Sequence, residues 1–171
     1  KKDGTVLDKF AYPDKATIEK AASEIRGADF TVSSFEEKQT RRNPYPPFTT
    51  STLQQEGAKR LRFSAKKTML LAQRLYEQGL ITYMRTDSVN LSLQATTEAK
   101  AWLLRELGAP YAAEAPRAFT GKSKLAQEAH EAIRPTEAGR TPDVLGLKDP
   151  GEARLYDLIW RRFMASQMPQ A

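Results

Sequence analysis

Cysteine is absent from the 171 residues. The chain therefore has no disulfide, no thiol nucleophile and no cysteine metal site, which fits a reducing cytosol. No apolar run approaches the roughly 18 residues that a membrane span needs, and no signal-peptide pattern is present. A glycine-rich P-loop is also lacking, so nothing in the sequence indicates nucleotide triphosphate binding.

Acidic charge is in the minority. The formal net charge is +6, and 40% of the residues are hydrophobic, which is enough for a core. A basic balance suits a polyanionic partner, although it is equally compatible with plain solubility. The length corresponds to one domain or one and a half. Because Lys1 is not a natural start, we expect the chain to be a fragment of a larger protein.

The first part of the chain, residues 1–43, predicts a strand, a helix and a second strand. Residues 5–10 alternate in polarity, and Asp14 is a suitable N-cap for a helix that runs to about Arg26 and ends at Gly27. Residues 30–40 are rich in β formers and predict a long, partly exposed strand. This part has too little apolar material to fold alone, so we expect its sheet partners to lie elsewhere.

The second part, residues 44–168, predicts a helical domain after a proline-rich linker at residues 43–48. Thr50 or Ser51 caps a helix to about residue 59, Ser64 one to residue 78, and Ser92 one to about residue 107. A turn follows at residues 141–143, and a last helix runs from 150 to about 168. The fold class is therefore mainly α with a small β portion. Residues 169–171 then return towards the first part.

One helix in this part has two distinct sides. Residues 65–78 place apolar side chains at helical spacing, and the opposite side is polar or basic. The predicted inward residues are Met69, Leu70, Ala72, Leu75 and Tyr76. Between residues 41 and 85 nine basic residues face only two acidic ones. Such a run is usually a solvated face, but it leads into Tyr83, which favours a phosphate-tracking surface that includes Lys66, Lys67 and Arg74.

The segment from 79 to 88 reads Gly-Leu-Ile-Thr-Tyr-Met-Arg-Thr-Asp-Ser. Gly79 predicts a left-handed helix end, and the next two residues predict a short buried strand. Tyr83 and Arg85 alternate with Met84, so in an extended segment they share one face. A phenol oxygen can attack phosphorus, and a guanidinium can bind two phosphate oxygens. The pair therefore indicates phosphate chemistry.

This segment resembles the active-site signature of type IA DNA topoisomerases. A second block, Glu-Ala-His-Glu-Ala-Ile-Arg-Pro-Thr at residues 128–136, resembles that family's downstream motif in the expected order. Met84 is more similar to the bacterial topoisomerase I branch than to the topoisomerase III branch. The resemblance covers the chain from about residue 43 onwards and is weaker before it.

The resemblance implies a reaction and a set of site residues. Tyr83 would cut one DNA strand and stay joined to the 5′ phosphate, another strand would pass, and resealing would need no ATP, so that negatively supercoiled DNA is relaxed. Arg85 would bind the scissile phosphate. His130 would donate a proton or position the phosphate, and Arg134 would hold its segment or touch DNA. The supporting residues would be Gln73, Glu77, Thr82, Thr86, Asp87 and Glu131.

Two of these supporting roles have particular physical reasons. Glu131 is suited to anchor an arginine. Asp87 either pairs with Arg85 or caps the next turn, and the sequence does not separate these two roles. Gln73 and Glu77 are four positions apart on one helix, so they project together.

The same resemblance implies the surroundings of the site. Residues 1–43 would be part of an arch domain, and residues 44–168 a nucleophile domain with helix-turn-helix-like packing. The family binds Mg²⁺ on an Asp-x-Asp-x-Glu cluster in another domain, and no Asp-x-Asp occurs here. The isolated fragment would then be inactive. The implied partners are single-stranded DNA and the remaining domains of the same chain, in a monomer without a membrane in the bacterial cytoplasm, at the nucleoid.

Two other functions compete with this interpretation. A non-catalytic helical DNA-binding module would tolerate changes at Tyr83 and depend on Lys66, Lys67 and Arg74. A tyrosine recombinase is excluded by order, because its tyrosine comes last, whereas Tyr83 precedes His130. Both the topoisomerase fragment and the non-catalytic module would bind single-stranded DNA, whose bases would stack on exposed aromatic side chains. The candidates are Tyr45, Phe48 and Phe63, unless these residues belong to the core instead.

Overall fold

The computed structural model describes residues 6, 8, 11–119 and 130–171. The chain divides into two compact units, residues 1–39 and residues 40–171. The described residues form six α-helices, one π-helical turn and one 3-10 turn. They also contain two isolated antiparallel β-bridges, Phe48 with Ile133 and Ile81 with Pro135. The predicted mainly helical fold is confirmed, and the described part of the chain contains no sheet.

The described residues of the first unit contain one helix, α1 (Lys15–Arg26). Its N-cap is Asp14, whose carboxylate accepts a hydrogen bond from the Thr17 backbone N–H at 2.8 Å, so the prediction for this helix is confirmed. No residue of α1 is buried. The helix is therefore held by its own hydrogen bonds and its cap rather than by packing.

The long strand predicted over residues 30–40 is wrong. These residues form no regular secondary structure, and Phe30, Val32 and Phe35 are 78%, 87% and 85% exposed. A strand needs a neighbouring strand to satisfy its backbone hydrogen bonds, and the described residues provide none for this segment. The other predicted strand, at residues 5–10, lies largely outside the described residues.

The second unit contains the other helices. They are α2 (Thr50–Glu56), the π-turn (Gly57–Leu61), α3 (Ala65–Glu77), α4 (Leu93–Glu106), a 3-10 turn (Ala109–Tyr111), α5 (Pro142–Leu145) and α6 (Pro150–Ser166). Ser64 and Ser92 cap α3 and α4 as expected, and Thr141 and Asp149 cap α5 and α6. The cap of α2 is Thr49, one position before the predicted one. No helix of the described residues is long and apolar enough to cross a membrane.

The core of the second unit lies where α3 packs against α6 and α2. Leu71 and Leu75 of α3 meet Leu155 and Ile159 of α6, and Phe48 is fully buried beside them. A second cluster joins α4 to the end of α6 through Ala95, Ala99, Leu103, Phe163 and Met164. These two clusters fix the helices that carry the candidate site.

The predicted inward face of α3 is partly wrong. Leu70 and Tyr76 are 52% and 43% exposed, whereas Thr68 and Leu71 are buried. Thr68 is tolerated there because its hydroxyl donates to the Ser64 carbonyl at 3.0 Å. It also faces Gly57, where a Cβ would lie only 2.8 Å from the Thr68 hydroxyl oxygen. Thr68 therefore lies on the buried side of α3, against the π-turn.

The connection between α2 and α3 contains an unusual backbone conformation. After the π-turn, Arg62 has φ 61°, and among the described residues it is the only non-glycine with a positive φ. The backbone N–H groups of Arg62 and Phe63 both donate to the Gly57 carbonyl. The turn projects Lys59 and Arg60 outward and buries Phe63.

The two ends of the second unit lie side by side. The Arg42 N–H donates to the Ala171 carbonyl at 2.8 Å, and the Ala171 N–H donates to the Arg42 carbonyl at 3.1 Å. Gln170 adds a side-chain hydrogen bond to Asn43 at 2.7 Å. Positions 42 and 171 therefore form a hydrogen-bonded antiparallel pair.

Candidate active site

The segment after α3 alternates between buried and exposed residues. Gly79 has the predicted left-handed conformation, with φ 70°. Met84 and Thr86 are buried, whereas Tyr83 and Arg85 are exposed. The predicted common face of the phenol and the guanidinium is confirmed.

The start of α2 holds this segment in place. The Thr50 hydroxyl donates to the Met84 carbonyl at 2.8 Å and accepts from the Thr86 N–H at 2.9 Å. The Thr50 N–H in turn donates to the Thr86 carbonyl at 2.9 Å. Arg85 therefore lies between two backbone positions that are fixed by a single threonine.

Thr82 joins this segment to the second sequence block. Its hydroxyl donates to the Ala132 carbonyl at 2.7 Å and accepts from the Arg134 N–H at 3.0 Å. Its own N–H donates to the Arg134 carbonyl at 2.9 Å. One threonine thus connects two blocks that are about fifty residues apart in the sequence.

The two blocks meet around a small cavity of about 280 Å³. Thr82, Tyr83, Arg85 and Thr86 line it from the first block, and His130 and Glu131 line it from the second. Tyr83 is 50% exposed, so its side chain is accessible to a ligand. The first two residues of the second block, at positions 128 and 129, lie outside the described residues.

Tyr76 is a residue of this site that the sequence reasoning assigned to the core. Its ring packs edge-on against Tyr83, with ring centroids 5.3 Å apart and an interplanar angle of 68°. An aromatic pair of this kind contributes about 0.5–1.5 kcal/mol beyond area burial. The contact restricts the orientation of the Tyr83 ring. The sequence feature that could have placed Tyr76 at this site is its position on α3 three residues after Gln73.

Gln73 and Glu77 are on α3, the helix that carries Tyr76. The Gln73 amide donates to the Glu77 carboxylate at 2.9 Å. At about 100° per residue, Gln73 lies roughly 60° around the helix from Tyr76. Glu77 lies about 100° from Tyr76, and neither Gln73 nor Glu77 is among the residues that line the Tyr83 cavity.

Glu131 and Arg134 form an ion pair within the second block. The Arg134 guanidinium donates to Glu131 at 2.6 Å and to the Pro135 carbonyl at 2.9 Å, and its side chain is only 12% exposed. Glu131 also accepts from the Ser92 N–H at 2.7 Å. Burial raises the pKa of Glu131, but the hydrogen bonds from Arg134 and Ser92 outweigh it and hold the pKa below its usual value. Arg134 is thus placed to hold its own segment.

Asp87 is exposed beside the site. Among the described residues no hydrogen bond or ion pair joins it to Arg85, and the cap of the next helix is Ser92. The structure therefore shows no direct contact for either role expected of Asp87, pairing with Arg85 or capping the next turn.

The basic residues of α3 point in different directions. Lys66 is exposed on the outer face near Gln73, but Lys67 and Arg74 lie about 160–180° around the helix from Tyr76. Arg74 pairs with Glu152 at 3.7 Å, and the Lys67 ammonium lies 4.4 Å from the centre of the Phe63 ring. The structure therefore does not bring Lys67 and Arg74 to the cavity.

No group of three or more histidine, aspartate or glutamate side chains within the described residues could hold a metal ion. The carboxylate at the cavity, Glu131, is already occupied by Arg134 and Ser92. These residues do not fit a Mg²⁺ site.

An exposed tyrosine beside an arginine and a histidine, on a helical unit, is an arrangement suited to phosphoryl transfer. The family model described as DNA topoisomerase matches residues 2–171. The chain belongs to the type IA DNA topoisomerase family, of the bacterial topoisomerase I type.

Similar proteins extend well beyond this chain. It is 52% identical over 167 residues to DNA topoisomerase 1 of Mycobacterium leprae, covering 96% of this chain and 18% of that protein. It is 49% identical over 168 residues to DNA topoisomerase 1 of Zymomonas mobilis, covering 98% and 14%. The solved structure of full-length topoisomerase I from Thermotoga maritima matches with a TM-score of 0.71 and 40% identity, over 88% of this chain and 25% of that one. The chain thus spans less than a fifth of the two curated relatives.

Proposed function

We propose that this chain carries the nucleophile of an ATP-independent type IA DNA topoisomerase. Tyr83 cuts one DNA strand, remains joined to the 5′ phosphate while another strand passes, and the break is resealed, so that negatively supercoiled DNA relaxes. The observation that supports this most directly is the cavity in which Tyr83 and Arg85 meet His130. The homologues named DNA topoisomerase 1 support the same reaction.

The proposed reaction keeps the number of phosphate ester bonds constant. The Tyr83 oxygen forms a bond to phosphorus as the bond from phosphorus to the 3′ oxygen breaks; the phenol loses its proton and the 3′ oxygen gains one. The reverse attack by the 3′ hydroxyl restores the strand, which explains why no ATP is required. A tyrosine has an ordinary pKa of about 10, so it needs a positively charged neighbour to react at neutral pH.

In this proposal Arg85 and His130 are the neighbours that assist the reaction of Tyr83. Arg85 binds the non-bridging oxygens of the scissile phosphate, on which charge builds up in the transition state, and one such contact is worth a few kcal/mol. His130, on the cavity rim, positions the phosphate through a hydrogen bond from its imidazole. Thr82, Thr86, Glu131 and Arg134 hold the two segments that carry these groups. We also assign a supporting role to Gln73 and Glu77, which pair with each other on α3.

The rest of the enzyme completes the site. We place Mg²⁺ on an acidic cluster in another domain, where it would supply further positive charge near the phosphate. Residues 44–168 would form the active-site domain, residues 1–43 part of an arch, and residues 169–171 the return to it. The other domains of the same polypeptide are the remaining partners, and the enzyme works as a monomer on single-stranded segments of nucleoid DNA in the cytoplasm.

Covalent trapping in the complete enzyme tests this function. Labelled single-stranded DNA and Mg²⁺ should give a denaturant-resistant protein–DNA adduct that is lost in Tyr83→Phe. Tyr111→Phe is a matched control, because Tyr111 is 53% exposed on a different turn. If Tyr83→Phe still forms the adduct, Tyr83 is not the nucleophile. If it also leaves DNA binding and supercoil relaxation intact while Lys66→Ala weakens binding, the non-catalytic module is the better description.

A further inference from the structure

A second concave surface lies on the second unit, at residues distinct from the Tyr83 cavity. This groove has a volume of about 430 Å³ and lies between the linker before α2, the π-turn and α6. Its apolar floor includes Leu61 and Leu158. Its rim carries Tyr45 and three exposed guanidinium groups, those of Arg60, Arg154 and Arg161.

Tyr45 is the exposed aromatic residue of this groove. Phe48 and Phe63, the other two residues considered for base stacking, are 0% and 6% exposed and belong to the core, whereas Tyr45 is 74% exposed. The Arg162 guanidinium lies 5.2 Å from the centre of the Tyr45 ring and 4.3 Å from that of Phe48. Tyr45 is therefore supported from the protein side and open to solvent.

Arg162 is committed to this supporting role. It is largely buried, pairs with Glu56 at 3.6 Å and donates to the Pro46 carbonyl at 3.4 Å. It thereby fastens the linker that carries Tyr45 onto α6, which fixes the position of the ring relative to the groove.

The groove carries more positive than negative charge, even when the ion pairs within it are taken into account. Glu56 neutralises part of the charge of Arg60 and Arg162, and Asp157 pairs with Arg161 at 2.7 Å. Four guanidinium groups thus face two carboxylates. Arg154, whose guanidinium carbon lies 5.4 Å from the centre of the Phe63 ring, has no carboxylate partner among the described residues.

Helix α2 connects this groove to the Tyr83 cavity. Thr50, at its beginning, holds the backbone around Arg85, and Glu56, at its end, pairs with Arg60 and Arg162. With a rise of about 1.5 Å per residue, these two points are roughly 9 Å apart along the helix. The same short helix therefore carries residues that hold parts of both sites.

We propose that this groove is a subsite for single-stranded DNA, in which an unpaired base stacks on Tyr45 and neighbouring phosphates contact Arg60, Arg154 and Arg161. An aromatic platform beside a positively charged groove is the combination with which proteins bind single strands without reading their sequence. The identity of the polyanion as DNA rests on the proposed function, but the groove has residues of its own and binds whether or not Tyr83 reacts.

Binding of a fluorescent oligodeoxythymidine to this chain, followed by anisotropy over a series of salt concentrations, tests the subsite. Tyr45→Ala should weaken the Kd about 5- to 100-fold, while Tyr45→Phe should stay within about twofold of the parent. Arg154→Gln should weaken binding and reduce the salt slope by about 0.7. Tyr111→Ala and Arg105→Gln, which change an exposed tyrosine and an exposed arginine elsewhere, should bind as the parent does.

The proposal would be overturned by a parent chain that does not bind the oligonucleotide, by equal losses in the control variants, or by duplex DNA that binds as tightly as the single strand. The subsite and the proposed function fail separately. Tyr83→Phe should abolish the adduct in the complete enzyme, whereas Tyr45→Ala there should retain the adduct at saturating DNA. Unchanged binding in Tyr45→Ala with an intact adduct would remove the subsite and leave the nucleophile assignment in place.

Discussion

Arg62 shows how a single residue can store backbone strain. An L-residue in the left-handed region costs about 1–2 kcal/mol, and arginine has no special hydrogen bond with which to offset it. The conformation is imposed because the chain must reverse between the π-turn and α3 while Phe63 enters the core.

Replacing Arg62 by glycine should therefore stabilise the second unit. The strain energy that is removed exceeds the additional entropic cost of ordering a glycine by up to about 1 kcal/mol. The Tm should therefore rise by roughly 2–4 °C. Thermal unfolding followed by circular dichroism measures this. Lys59→Gly is the control, since its φ is not positive, and it should lower the Tm; a fall for Arg62→Gly as well would show that the strain is not relieved.

Tyr156 links stability to alkaline pH. Its hydroxyl donates to the Arg140 carbonyl at 2.6 Å, and burial raises the pKa of Tyr156 to about 12. The unfolded value is near 10. Because the folded-state pKa is the higher one, the folded state favours the neutral phenol. This contribution is complete below about pH 10 and is lost as the pH rises from about 10 to about 12.

Tyr156→Phe should consequently flatten the alkaline loss of stability. At pH 7 the variant should be less stable by about 1 kcal/mol, because the Arg140 carbonyl loses its donor. Between about pH 10 and 12 its free energy of unfolding should fall less steeply than that of the parent. Urea unfolding at pH 7, 9 and 10.5 compares the two proteins, and parallel decreases above pH 10 would contradict the assignment.

At the scale of elements, local signals predicted the helices well. Serine, threonine and aspartate caps marked most helix starts correctly, because a cap depends only on its own turn. The buried side of α3 was only partly predicted, because Thr68 packs against Gly57 in a tertiary contact that the spacing of apolar residues does not show. The strand over residues 30–40 failed for the same kind of reason, as strands require a partner that no local pattern supplies.

In the candidate site, too, local features were predictable from the sequence and tertiary contacts were not. The common face of Tyr83 and Arg85 follows from alternation along one segment, so it was predictable. The closure of this segment onto the second block through Thr82 is a tertiary contact that only the motif resemblance suggested. Tyr76 was assigned to the core, and Lys67 was placed with the tyrosine; both residues lie on helix sides that packing, not sequence spacing, determines.

Thr50→Val tests the coupling between α2 and the active-site segment. The substitution keeps the shape but removes the hydroxyl that binds Met84 and Thr86, so the free energy of unfolding should fall by about 1–2 kcal/mol. In the complete enzyme we expect adduct formation at least about tenfold slower, because Arg85 is less fixed. Thr50→Ser should retain most of the rate. A valine variant that cleaves at the parent rate would show that this clamp is unimportant.

At the scale of the whole molecule, the two units differ in how they are stabilised. The described residues of the first unit bury no apolar side chain, and several large ones are exposed there, among them Ile18, Ile25 and Phe35. The second unit contains both hydrophobic clusters, so its stability should not depend on residues 1–39.

A shortened chain that comprises residues 40–171 should therefore unfold cooperatively with a Tm within about 2 °C of the full chain. Removing α1 exposes no core, since none of its residues is buried. Thermal unfolding of both chains by circular dichroism makes the comparison. A Tm that is more than about 5 °C lower in the shortened chain would mean that the first unit contributes to the core of the second.

The pairing of Arg42 with Ala171 makes the second unit a nearly closed ring of polypeptide. In such a pair the Cα atoms are only about 5.5 Å apart, so two or three added residues could join them covalently. The chain could then be opened in the exposed segment after Gly146, between α5 and α6, to give a circular permutant with a new order of helices. The three-dimensional arrangement around Tyr83 would persist, because it depends on which residues neighbour each other and not on the residue at which the ring is cut.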